Sequence, residues 1–249
     1  MKSYPFPPLA LKDLVIGYPL GRRKTPLGLS APIDADWSEP GIHAIIGRNG
    51  TGKSTLIRTI CGLQSPLSGV AHLQGRSVHQ MSAARRSTWM SFVDSTPPRG
   101  SGLTTGQTLM LSKPNINESD CRNWLSQLGN PNWWDMRLSE LSDGQAQRVM
   151  VARAALQSAP WMILDEPTAF LDVPAREDLL DLLGTMVQDG LGLLLTTHDL
   201  HLLARSSALS SIHLLNAGGL TPLDPNGVVE DWEMALRGQT ESQNKLDSK

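Results

Sequence analysis

Residues 47–54, Gly-Arg-Asn-Gly-Thr-Gly-Lys-Ser, meet every fixed position of the pattern G-x-x-x-x-G-K-[ST]. No other stretch limits the fold so strongly. The backbone N–H groups of such a loop converge on one phosphate only if a strand delivers the loop and a helix carries the chain away. Both neighbours are legible. Ile42–Ile46 is an apolar run of strand length, and beyond Lys53 the residues Leu56, Ile57, Ile60 and Leu63 recur on one helical face. The glycines keep Cβ atoms out of the cradle, and the helix start adds a dipole that favours an anion. Lys53 brings a point charge to the β- and γ-phosphates, and the Ser54 hydroxyl suits Mg²⁺. The phosphate-facing set is therefore Gly47, Arg48, Asn49, Gly50, Thr51, Gly52, Lys53, Ser54 and Thr55.

A strand carrying two acids belongs beside this loop. Trp161-Met-Ile-Leu-Asp165-Glu166 is apolar until it ends in a pair of carboxylates. Parallel strands present their C-terminal ends to the ligand crevice, so Asp165 is expected next to the loop as a metal ligand. Glu166 follows, placed to polarise a water that attacks the γ-phosphate. Alone, such a pair serves equally well as a helix cap; the loop tips the balance. Further strands are read at Leu9–Ile16, Val70–Leu73, Trp89–Val93, Leu191–Thr196 and Ser211–Leu215. Helical patterns lie at Ala146–Ala154 and Leu179–Val187, the second closed by Gly190. Alternating strands and helices give an α/β fold whose parallel sheet is covered on both faces.

Residues 100–141 break that rhythm: they are polar, without a clear strand, with one helix at Glu118–Leu128. They are expected to belong to a helical subdomain, about residues 100–158, inserted in a single domain of residues 1–237. Trp124, Trp133 and Trp134 suit its core, or a groove on it. Residues 238–249 read as a polar, disordered tail. The net charge of -2 leaves no basic excess to attract a phosphate backbone, so nucleic acid is not an expected partner. Apolar runs such as Leu191–Leu195 are too short to span a bilayer. Met1–Pro8 has no apolar core of signal-peptide length, and two isolated cysteines, Cys61 and Cys121, fit a reducing compartment.

Leu141-Ser142-Asp143-Gly144-Gln145, shortly before the acid-bearing strand, resembles the LSGGQ signature of ABC transporter nucleotide-binding domains. From about residue 9 to 220 the chain looks like that family throughout. Tyr18 resembles the A-loop aromatic that stacks on adenine, Ala169-Phe-Leu-Asp172 the D-loop, and Thr197-His198-Asp199 the H-loop. On their residues alone, Tyr18 also suits a core aromatic and His198 a surface histidine. The resemblance implies a P-loop NTPase core of the ABC ATPase type, with an inserted helical subdomain and an N-terminal antiparallel β region. It implies ATP and Mg²⁺ as cofactors. A second copy of the chain would pack head to tail, so that Ser142, Asp143, Gly144 and Gln145 act on the partner's ATP, with Asp172 nearby. Glu166 is then the general base, His198 holds γ-phosphate and water in line, and Lys53 completes the catalytic group. Membrane-spanning permease subunits and a substrate-binding protein are further implied partners, with the chain on the inner, cytoplasmic face of the membrane.

Two positions depart from the family. Asp143 replaces a signature glycine and brings a carboxylate toward a triphosphate, where the helix N-terminus can satisfy it locally. Ser95 stands where the family has the Q-loop glutamine that touches Mg²⁺. Serine reaches that metal only through a water, so Ser95 is expected to be a weak contact. Pro66–Gly69 and residues 168–176 look most like ATPases of iron-siderophore, haem and cobalamin importers. A soluble ABC ATPase working on a protein or DNA assembly is the alternative, and a non-hydrolysing ATP-binding regulator a third.

Overall fold

The computed structural model describes residues 6–18, 27–28, 31–128 and 130–246, with 27–28 and 239–246 described by backbone alone. In chain order, β1 (Leu9–Val15), β2 (Gly17–Tyr18), β3 (Leu27–Gly28) and β4 (Ile33–Trp37) precede β5 (Gly41–Ile46) and α1 (Lys53–Ile60). Next come β6 (Ser68–Leu73), β7 (Arg76–Ser77), α2 (Ala83–Ser87) and β8 (Met90–Val93). The chain then forms α3 (Thr105–Met110), α4 (Glu118–Gln127) and α5 (Asp143–Leu156), with an isolated bridge between Thr104 and Arg137. It closes with β9 (Trp161–Asp165), α6 (Val173–Gln188), β10 (Gly192–Thr197), α7 (Leu200–Ala204), β11 (Leu209–Asn216), β12 (Gly219–Leu223) and α8 (Val229–Leu246).

The larger sheet has the order β12-β11-β5-β10-β9-β8 and is parallel except at its β12 edge. Its centre is buried on both faces, which is why β5, β9 and β10 read as continuous apolar runs rather than alternating ones. Successive residues nevertheless serve different cores. Ala44, Leu164 and Leu195 pack with Leu125, Val149 and Leu183 of α4, α5 and α6. Ile45, Ile163 and Leu194 face the other way, onto Leu56, Ile57 and Ile60 of α1 and onto β1 and β6. Those last two strands belong to an antiparallel sheet of order β4-β1-β6-β7.

The register fixes what happens at the sheet's C-terminal edge. Thr197 of β10 pairs with Ile46 of β5, and Thr196 with Asp165 of β9. The segments that leave these three strands start side by side.

Two histidines lie within the sheet, among Trp37 and Trp161. His43 bonds Ser211 Oγ at 2.9 Å and the Glu39 carbonyl at 3.1 Å, and its ring lies 5.7 Å from that of Trp161. His213 meets Trp37 edge-on at 5.7 Å. Burial pushes both imidazoles below their ordinary pKa, His213 to about 4, where the nearby His43 lowers it further. Both are therefore neutral packing groups at physiological pH.

Two expectations need correcting. The segment read as loop before Glu118 contains α3, opened by a capping box in which Thr104 and Gln107 bond reciprocally. The helix α8 runs on to Leu246, through most of the segment read as a disordered tail; residues 247–249 lie outside the described residues. Glu, Gln, Lys and Leu are good helix formers, and a Glu233–Arg237 pair one turn apart supports the helix before that segment. Of the tryptophans, Trp133 is buried in the core, while Trp124 and Trp134 pack against it partly buried. Among the described residues, no helix is long and apolar enough to cross a membrane.

Candidate nucleotide site

The loop after β5 owes its path to its glycines. Gly50 and Gly52 have φ of 82° and 98°, a region that side chains with a Cβ seldom occupy. A Cβ on Gly47 would stand 2.8 Å from the Leu215 carbonyl oxygen and 2.9 Å from Thr51 Oγ1. Thr51 Oγ1 in turn donates to the Arg48 carbonyl at 2.8 Å, closing the loop on itself. Arg48, Asn49 and Gly50 form its exposed rim. No side chain caps the start of α1, so the N–H groups of its first turn are available to an anion. Tyr18, half-exposed, lies beside this helix with its hydroxyl 3.5 Å from Thr55 Oγ1.

Lys53 links the loop to the acids. Its buried ammonium donates to the Gly47 and Arg48 carbonyls at 2.8 and 3.4 Å and pairs with Glu166 Oε1 at 3.3 Å. The other carboxylate oxygen of Glu166 is 2.8 Å from His198 Nδ1, on an exposed ring. Three residues from three distant segments thus form one chain, Lys53–Glu166–His198.

Asp165 is fully buried. Its Oδ1 accepts a 2.6 Å hydrogen bond from Thr196 Oγ1, whereas Oδ2 is buried with no hydrogen-bond partner. An anionic oxygen left so costs more than the about 1–3 kcal/mol of an uncharged polar group in the same position. With the hydroxyl of Ser54 at the head of α1, this hard oxygen set fits Mg²⁺.

A second group gathers at the start of α5. Ser142 Oγ accepts from Gln145 N at 3.2 Å, and the Gln145 side chain accepts from Ser142 N at 2.9 Å, a reciprocal capping box. Gly144 is needed for contact: a Cβ there would lie 2.7 Å from the Phe170 carbonyl oxygen. Asp172, two residues on, is exposed and caps α6 through Ala175 N at 3.0 Å. Asp143 is not satisfied by its own helix alone, because its Oδ1 lies 3.2 Å from Nη1 of Arg99 in the turn Arg99–Ser101. Among the described residues, no hydrogen bond or ion pair joins this group to loop 47–54.

Ser95 is held elsewhere than on Ser54 or Asp165. Its hydroxyl donates to Asp94 Oδ1 at 3.3 Å, and both oxygens of Asp94 accept from Arg58 Nη2 at 3.0 Å. Gln147 of α5, fully buried, donates to the Asp94 carbonyl at 3.1 Å. Sequence reasoning missed this junction of α1, the β8 end and α5. Its one visible signal was a glutamine among the buried residues of α5, beside Ala146, Val149 and Met150.

Comparisons with known proteins show the family. Residues 31–169, more than half of the chain, match the family model described as ABC transporter. The chain is 32% identical over 177 residues to the iron(3+)-hydroxamate import ATP-binding protein FhuC of Bacillus subtilis, covering 67% of this chain and 66% of that protein. It is 32% identical over 184 residues to the achromobactin transport ATP-binding protein CbrD of Dickeya dadantii, covering 70% and 68%. It is 34% identical over 182 residues to the phosphonates import ATP-binding protein PhnC of Trichormus variabilis, covering 65% and 72%. The first two matches therefore span about two thirds of the relatives' length. A solved dimer of the ATP-binding cassette MJ0796 with ADP and Pi superposes with a TM-score of 0.77 at 22% identity, covering 88% of this chain and all of that one. An ATP-binding subunit of an ABC transporter gives 0.75 at 28% identity, covering 92% and 94%. The chain belongs to the ABC transporter family, as one of its ATPase cassettes.

Proposed function

We propose that this cassette binds Mg-ATP on loop 47–55, hydrolyses it as a head-to-tail pair, and drives import of an iron chelate, haem or cobalamin through membrane-spanning subunits. The hydrolytic part rests on one observation: Glu166 is held between Lys53 and His198, beside a buried carboxylate with an unpaired oxygen. Lys53 would neutralise the β- and γ-phosphates, and Tyr18 would pack on the adenine. Glu166 would accept the proton of the attacking water, with His198 fixing its direction. Ser54 and Asp165 would hold Mg²⁺, which neutralises phosphate charge.

The second copy supplies the rest. Because Ser142 Oγ accepts from Gln145 N, its own hydrogen is free to go to the partner's γ-phosphate, alongside the N–H group of Gly144, while the Gln145 N–H would have to leave Ser142 Oγ to join them. Arg99 balances the negative charge of Asp143, which would otherwise oppose that approach.

The cargo reading draws on relatives named for iron-hydroxamate import and achromobactin transport; the relative named for phosphonates import supplies its rival. Purification of the tagged chain from detergent-solubilised source cells tests it. A polytopic membrane protein is the expected companion, with a substrate-binding protein that takes up a ferric chelate, haem or cobalamin. A binding protein that holds phosphonate overturns the cargo, and a soluble protein or DNA assembly overturns the importer.

The Ser95 position carries its own prediction. A glutamine there reaches a metal directly, so Ser95→Gln should lower the Mg²⁺ concentration for half-maximal ATP hydrolysis, with the saturating rate within a few-fold. Asp94→Ala should leave that midpoint in place, since its carboxylate is committed to Arg58. A Mg²⁺ titration at fixed ATP reads both. An unchanged midpoint in the glutamine variant, or a raised one in the alanine variant, contradicts this placement of the loop.

A further inference from the structure

We propose that Thr196, near the end of β10, is a positioning residue that aims both site acids with one hydroxyl, an inference that rests on the roles given above to Asp165 and Glu166. Thr196 is fully buried and follows three leucines, Leu193–Leu195, so its hydroxyl is polar in an apolar strand and must find partners. It finds two. Oγ1 lies 2.6 Å from Asp165 Oδ1 and 2.9 Å from Glu166 N.

Chemistry fixes the direction of both bonds. An ionised carboxylate only accepts, so the hydroxyl hydrogen goes to Asp165; a backbone N–H only donates, so the Glu166 amide takes the hydroxyl's lone pair. The first bond anchors Asp165 through Oδ1 and leaves Oδ2 as the buried, unpaired oxygen. The second holds a turn. Glu166 has φ of 46°, a left-handed conformation that persists in a non-glycine residue only where neighbours over-determine it. Its N–H is shared between the Thr196 hydroxyl and the Thr196 carbonyl, the latter at 3.2 Å. That turn sends the Glu166 carboxylate to Lys53 and His198. The β-branch restricts the threonine's rotamers, so the hydroxyl is preset. Thr197 next door is engaged elsewhere, its Oγ1 accepting from Asp199 N at 3.0 Å at the head of α7.

The test uses Mn²⁺ as the metal probe, followed by electron paramagnetic resonance on the complex with a non-hydrolysable ATP analogue. Thr196→Val keeps the shape and deletes the hydroxyl. It should weaken Mn²⁺ binding about 10-fold or more, the usual scale for a partner that orients a metal ligand. Binding of the analogue in EDTA should not change. Thr196→Ser restores the hydroxyl and should recover most of the Mn²⁺ affinity; Thr196→Ala replaces the valine comparison if that variant fails to fold. Asp165→Asn separates the two levels of the argument. If it loses Mn²⁺ while Thr196→Val binds the ion like the parent, Thr196 is not a positioning residue and the site reading stands. If Asp165→Asn itself binds Mn²⁺ undiminished, the site reading fails and takes the Thr196 inference with it. A serine variant as weak as the valine one also overturns the inference, because packing rather than the hydroxyl would then be responsible.

Discussion

Glu166→Gln is expected to bind ATP about as tightly as the parent and to turn it over at least ~10²-fold more slowly. The amide keeps the length and outline of the side chain, and it can still bond His198, now 2.8 Å from one carboxylate oxygen. What it loses is the capacity to take a proton from water. It also loses the ion pair with Lys53, which spans 3.3 Å in the parent. That loss releases the lysine toward phosphate instead of removing a phosphate ligand, so affinity for ATP should not fall. With hydrolysis blocked, the ATP-bound pair should accumulate and elute as a dimer on a sizing column. Steady-state hydrolysis and ATP binding on the same preparation decide the matter. A rate within a few-fold of the parent would remove Glu166 as the base.

How much of this was legible depended on the range of the interaction. Loop 47–54 takes its shape from its own backbone and glycines, and a contiguous motif announced it. The parallel strands were visible because burial on both faces leaves an unbroken apolar run, as in Ile42–Ile46 and Trp161–Leu164. Edge strands were harder. In β4, Ile33-Asp-Ala-Asp-Trp37, only the two ends are buried, and the acids between them read as loop. In β12 a proline sits within the strand, opposite His213, where an edge can tolerate its missing N–H. The helix α3 had a signal that went unread, Thr104 and Gln107 at capping-box spacing.

Within the site, the candidate residues were legible one by one, and their pairings were not. Nothing local to Asp143 says that Arg99 will neutralise it, and nothing local to Asp94 says that Arg58 will occupy both its oxygens. Such partners are chosen by tertiary placement. The same holds for Thr196, one polar residue in a strand whose use emerges only once the register sets it opposite Asp165.

Mixing Ser142→Arg subunits with Lys53→Ala subunits is expected to recover ATP hydrolysis that neither variant shows alone. The reason is geometric. Lys53 and Glu166 touch within one subunit, whereas Ser142 belongs to a separate group with no bond to that loop among the described residues. If the Ser142 group serves the partner's nucleotide, each homodimer is broken at both sites. A mixed pair then has one site with an intact loop from the Ser142→Arg subunit and an intact serine from the Lys53→Ala subunit. Its other site carries both lesions. Equal, random pairing makes half the dimers mixed, so recovery should reach at most about a quarter of the parent rate. A control with both lesions on the same side sharpens the result. Lys53→Ala mixed with Glu166→Gln should recover nothing, because each subunit's own loop and base form one unit and every site in the mixture lacks one of them. The assay is steady-state hydrolysis, with pairing checked by pull-down through a tag on one variant. Silence in the first mixture despite demonstrated pairing would place Ser142 on its own subunit's nucleotide and remove the head-to-tail arrangement, whereas recovery in the second would mean that Lys53 and Glu166 of one subunit serve different nucleotides.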